Sequence, residues 1–124
     1  MPDAMPRIVV VEDDASMSQA IERILRAGGF TAVMFECAEA ALESDDVATA
    51  DGVVLDIHLP GMSGLDLYRQ LALGGEAPPV IFITARDEPA VREEAAGSGA
   101  KSFLVKPFSG RALLDAVTLA LSSN

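Results

Sequence analysis

Short apolar runs without polar interruption alternate along this chain with segments whose apolar residues recur every three or four positions. Ile8-Val9-Val10-Val11, the weaker Thr31 to Met34, Val53-Val54-Leu55, Val80-Ile81-Phe82-Ile83 and Phe103-Leu104-Val105 have strand length and lack the alternation of a half-solvated strand. Between them, Met17, Ile21, Ile24 and Leu25 fall at helical spacing, as do Ala38 to Leu42, Leu65-Tyr68-Leu71, a segment opening near Pro89, and Leu113 to Leu121. Strict strand and helix alternation predicts an α/β fold of the doubly wound kind, a five-stranded parallel sheet covered by helices on both faces.

Punctuation supports this division. Ser16 is the expected cap of the first helix and Gly28-Gly29 its end. Asp51-Gly52 turns the chain into the third strand, Pro60-Gly61-Met62-Ser63-Gly64 forbids a helix directly after Asp56, Gly74-Gly75 stops the next helix, and Pro78-Pro79 precedes the fourth strand. The helix after Pro89 offers little apolar surface beyond Val91, Ala95 and Ala96, so it is expected to be loosely held and able to move. With 124 residues, a single domain over 1–124 is expected, with no output domain in this chain. Half the residues are apolar, but there is no tryptophan and one tyrosine, so the core is largely aliphatic.

A formal charge of −10 with scattered basic residues argues against direct nucleic-acid binding. One cysteine, Cys37, excludes an internal disulfide and suits a reducing compartment. No signal-peptide pattern and no apolar stretch of membrane-spanning length occur, so a cytoplasmic protein without membrane contact is expected.

The strand ends carry the chemistry. The first run ends in Glu12-Asp13, the third in Asp56, the fourth in Thr84 and the fifth in Lys106. In an open parallel sheet these side chains converge on the crevice beyond the carboxyl ends of the strands. Three carboxylates there repel one another unless a cation neutralises them, and hard oxygen ligands favour Mg²⁺. Phosphoryl transfer needs positioning and positive charge, which Mg²⁺ and Lys106 can supply, with Asp56 as nucleophile and Thr84 donating to a new oxygen. Taken singly, each residue has a plainer reading: a turn or cap aspartate, a surface lysine, a β-branched strand residue. Asp14 keeps such a reading, pointing away or opening the next helix. Pro107 after Lys106 permits a cis peptide that would turn the lysine inward.

Together, Val11-Glu12-Asp13-Asp14, Leu55-Asp56-Ile57-His58-Leu59-Pro60-Gly61-Met62-Ser63-Gly64, Ile83-Thr84-Ala85 and Lys106-Pro107-Phe108 resemble the receiver domain of bacterial two-component response regulators, the CheY-like superfamily. The resemblance covers essentially the whole chain. It implies the flavodoxin-like strand order 2-1-3-4-5, Asp56 as phosphoacceptor, and Mg²⁺ held by Glu12, Asp13, Asp56 and the backbone carbonyl of His58. It further implies Thr84 as switch hydroxyl, Lys106 as the phosphate-pairing cation and Phe103 as the second switch residue, where a plain core phenylalanine is the alternative. Glu12 stands where the family uses either acid. His58 and Arg86 flank the site as tuning residues or as ordinary surface residues.

The implied partners are a sensor histidine kinase or phosphotransfer protein upstream and a protein partner downstream. The wording around Pro60 to Gly64 and Phe103 leans toward FixJ-type receivers, which implies a phosphorylation-dependent homodimer. A free-standing shuttle and a receiver separated from a DNA-binding regulator both remain open. The rivals are a Mg²⁺-dependent phosphohydrolase with an aspartyl nucleophile, which would want an acid where His58 stands, and a flavodoxin-like nucleotide binder, whose phosphate Glu12, Asp13 and Asp14 would repel.

Overall fold

The computed structural model describes residues 5–74, 77–86, 88–97 and 102–122; Gly75 of the expected Gly74-Gly75 stop lies outside them. Five strands, β1 (Arg7–Val11), β2 (Thr31–Phe35), β3 (Gly52–Asp56), β4 (Val80–Thr84) and β5 (Ser102–Val105), alternate with five helices. The helices are α1 (Ala15–Ala27), α2 (Ala38–Glu43), α3 (Gly64–Leu73), α4 (Pro89–Gly97) and α5 (Gly110–Ser122). All pairings are parallel, in the order β2-β1-β3-β4-β5.

Because successive strand residues point to opposite faces, each apolar run feeds two cores. Val9, Val11, Val53, Leu55, Val80 and Phe82 pack under α2 and α3, with Ala95 of α4. Ile8, Val10, Val54, Ile81 and Ile83 pack under α1 and α5, meeting Ile21, Leu25, Leu113 and Val117. Strands β1, β3 and β4 are therefore buried on both sides, which explains their unbroken aliphatic sequence. Phe82 adds an edge-on contact to Tyr68 of α3, with ring centroids 5.7 Å apart.

At the start of α1 the reading of Asp14 as the residue that opens the helix holds, and the reading of Ser16 as its cap does not. The cap of α1 is Asp14, whose carboxylate accepts the Met17 amide at 3.0 Å, while Ser16 lies inside the helix. Asp14 directly follows the strand-end acids in extended conformation, so it reaches the free amides of the first turn before Ser16 can. Helix α4 is as sparsely anchored as expected: Ala95 is its buried residue and Val91 is half-buried.

Strand order places β1 beside β3, with the connections leaving them in opposite directions. Val11 pairs with Leu55, so Glu12 and Asp56 emerge side by side at the point where such sheets hold ligands.

Candidate functional site

Asp56 is the last residue of β3 and is 4% exposed; Glu12, just past β1, is 1% exposed. Lys106 follows β5 and reaches across β4, its Nζ donating to Glu12 Oε1 at 2.7 Å and to Asp56 Oδ2 at 3.1 Å. The Lys106–Pro107 peptide is cis. The remaining carboxylate oxygens are held by backbone: Glu12 Oε2 accepts the Asp14 amide at 3.1 Å and Asp56 Oδ1 accepts the His58 amide at 3.0 Å. Asp13 is exposed beside them, and ligand oxygens of Glu12, Asp13 and Asp56 lie within 4.8 Å of one another.

Burial, reinforced by the neighbouring Asp56 charge, outweighs the bonds from Lys106 and the Asp14 amide and pushes the Glu12 carboxyl up to about 7. For Lys106 burial acts downward, yet the Glu12 bond and the Asp56 charge more than offset it and hold the ammonium above its usual value. One ammonium thus faces three clustered carboxyl groups, a donor set that could hold a metal ion.

Thr84 is fully buried at the end of β4. Its hydroxyl accepts the Arg86 amide at 3.1 Å and donates to the Arg86 carbonyl at 3.2 Å, closing the turn that leads to α4. Phe103 is half-buried on β5, paired with Phe82, and the Arg92 guanidinium of α4 stacks over its ring 4.8 Å from the centroid. The side chains of His58 and Arg86 are exposed at the rim.

Two glycines shape the loop after Asp56. Gly61 has a left-handed φ of 76°. Gly64 opens α3 so close to the Asp56 carbonyl oxygen that a Cβ there would collide with it. Sequence reasoning overlooked Glu39, which accepts the Met62 amide at 3.0 Å and is held below its ordinary carboxylate range chiefly by that bond. No motif links an exposed residue of α2 to a backbone amide so far along the chain.

The model of the response regulator receiver domain matches residues 8–118. The chain belongs to the response regulator receiver family. Nodulation protein W of Bradyrhizobium diazoefficiens is 40% identical over 113 residues, covering 91% of the chain and 50% of that protein. Sensory transduction protein RegX3 of Mycobacterium tuberculosis is 38% identical over 117 residues, covering 94% and 51%. The receiver spans about half the length of these curated relatives. Among solved structures, response regulator StyR matches with a TM-score of 0.86 at 41% identity, over 98% of this chain and 61% of that one. The BeF3-activated DrrB receiver domain matches with a TM-score of 0.86 at 26% identity, over 95% and 98%. The receiver is accordingly a signalling domain, a phosphoacceptor switch of two-component systems. Among the described residues no helix is long and apolar enough to cross a membrane.

Proposed function

We propose that Asp56 is the residue phosphorylated, from a sensor histidine kinase or a phosphotransfer protein, and that Glu12, Asp13 and Asp56 with the backbone carbonyl of His58 take Mg²⁺. The observation that carries this reading is the ammonium of Lys106 bonded to Glu12 and Asp56 together at the mouth of the β1/β3 crevice. The donor set fits a hard divalent cation: every ligand atom is an oxygen, the three carboxylates offer theirs within 4.8 Å of one another, and Asp13 lies open to solvent, leaving room for water and phosphate. When bound, Mg²⁺ supplies charge that offsets the negative phosphoryl group.

The His58 amide and Lys106 hold one oxygen each of Asp56, fixing the carboxylate plane. An Asp56 oxygen attacks phosphorus of the donor phosphohistidine; the new O–P bond forms as the N–P bond breaks, and the electron pair leaves with the imidazole. Lys106 then pairs with the phosphoryl oxygens. Thr84 must turn its hydroxyl proton away from the Arg86 carbonyl to donate there, which loosens the turn at the start of α4. Phe103, lying between β4 and Arg92 of α4, transmits that movement to the α4-β5-α5 face, where a downstream protein partner reads it. The same side chains make the receiver the catalyst of its own phosphorylation and dephosphorylation, with His58 and Arg86 tuning the second. The reading places the receiver in the cytoplasm, free of direct nucleic-acid contact, with dimerisation following phosphorylation.

Incubation with acetyl phosphate and Mg²⁺, followed by intact mass and sizing chromatography, tests this. Wild type should gain one base-labile phosphoryl mass and elute earlier, and Asp56→Asn should do neither. No mass gain on wild type would overturn the proposal, and a gain without a size change would remove dimerisation from it.

A further inference from the structure

The loop that leaves Asp56 is tied at its start to β3 and β4, at its end to its own first residue, and in its middle to another element. At its start the His58 amide bonds Asp56 Oδ1 and the Ile57 amide bonds the Ile83 carbonyl at 2.9 Å; at its end the Gly64 amide returns to the Ile57 carbonyl at 3.1 Å. Midway, Glu39 in the first turn of α2 accepts the Met62 amide through Oε2, and its carboxylate occupies the space over Gly61 that a side chain would fill. An amide donating to an ionised carboxylate is stronger than a neutral pair, and here that amide keeps Glu39 ionised below the usual range. The left-handed φ of Gly61 and the lack of a side chain there let α2 reach the loop at all.

We infer that Glu39 is a positioning residue of the acidic site: by clasping the Met62 amide it fixes the loop carrying His58, and with it the backbone carbonyl assigned to the cation. The inference rests on the site reading above. It predicts a division between cation affinity and chemistry, because Glu39 touches neither Asp56 nor Lys106. Loosening the loop raises the Mg²⁺ needed while leaving the rate at saturating Mg²⁺ unchanged.

The test is calorimetric titration of the full chain with MgCl2, for wild type, Glu39→Gln and Glu39→Ala, with amide hydrogen exchange of Met62 followed in chelator. Glu39→Ala should weaken Mg²⁺ binding about tenfold, the lower end for groups that orient metal ligands, and Glu39→Gln, which keeps an acceptor oxygen, by no more than about threefold. Met62 exchange should accelerate in Glu39→Ala without metal, and labelling by acetyl phosphate should recover at saturating Mg²⁺. Equal affinity of wild type and Glu39→Ala would overturn the inference alone. Glu39→Gln as weak as Glu39→Ala would also overturn it, by assigning the effect to net charge. A wild type that binds no Mg²⁺ would overturn the site reading itself, and this inference with it.

Discussion

Glu12 and Lys106 carry most of the electrostatic tension in the receiver. Burial raises the Glu12 carboxyl from 4.5 to about 7, so in chelator the folded state holds a proton there that the unfolded chain has released. The stability tied to Glu12 is therefore complete below about 4.5 and declines as pH rises through about 7. Thermal melts in chelator should show wild type losing Tm between pH 5 and about 8 more steeply than Glu12→Gln, whose amide does not titrate. Lys106 is the counterpart. Removing it in Lys106→Met leaves Glu12 and Asp56 buried without their cation, a loss of about 3 kcal/mol for a broken buried pair, measured by urea unfolding. Added Mg²⁺ should return part of that loss, since a cation then replaces the missing ammonium. All of these side chains were legible in the sequence because each ends an apolar run. What was not legible was how they pair: nothing in the spacing says that Lys106 bonds both acids or that Thr84 instead spends its hydroxyl on Arg86.

At the scale of elements, local pattern and local chemistry agree almost throughout. The aliphatic runs of β1, β3 and β4 became strands buried on both faces, and apolar residues at helical spacing became the inward sides of α1, α3 and α5. The cap of α1 is the exception, and it has a simple test: Asp14→Ala should cost about 1 kcal/mol in urea unfolding, and Ser16→Ala close to nothing. Competing caps two residues apart look alike in sequence; which one meets a free amide depends on where the strand delivers the chain. Helix α4 shows the opposite case, an element whose weakness was readable from its few apolar residues. It is tied instead by polar contacts across elements, the Arg69–Glu94 ion pair to α3 and Arg92 over Phe103 of β5. Contacts of that kind are exposed and worth little individually, which suits an element that must shift.

Across the whole molecule, the charge of −10 is partly concentrated where Glu12, Asp13 and Asp56 meet. Sodium chloride should stabilise the receiver by general screening, but millimolar MgCl2 should raise Tm more than sodium chloride of equal ionic strength. That surplus should vanish in Asp56→Asn, and its persistence there would place the Mg²⁺ effect elsewhere. Sequence alone determined the fold class, the sheet's aliphatic core and that Glu12, Asp13, Asp56 and Lys106 end apolar runs, because periodicity and run ends are local properties of the chain. Only the tertiary structure decided the partners: which acid Lys106 meets, that Arg92 covers Phe103, and that Glu39 holds the Met62 amide. These contacts join residues far apart in the chain, and their distances are set by how the helices settle on the sheet, which no local pattern encodes.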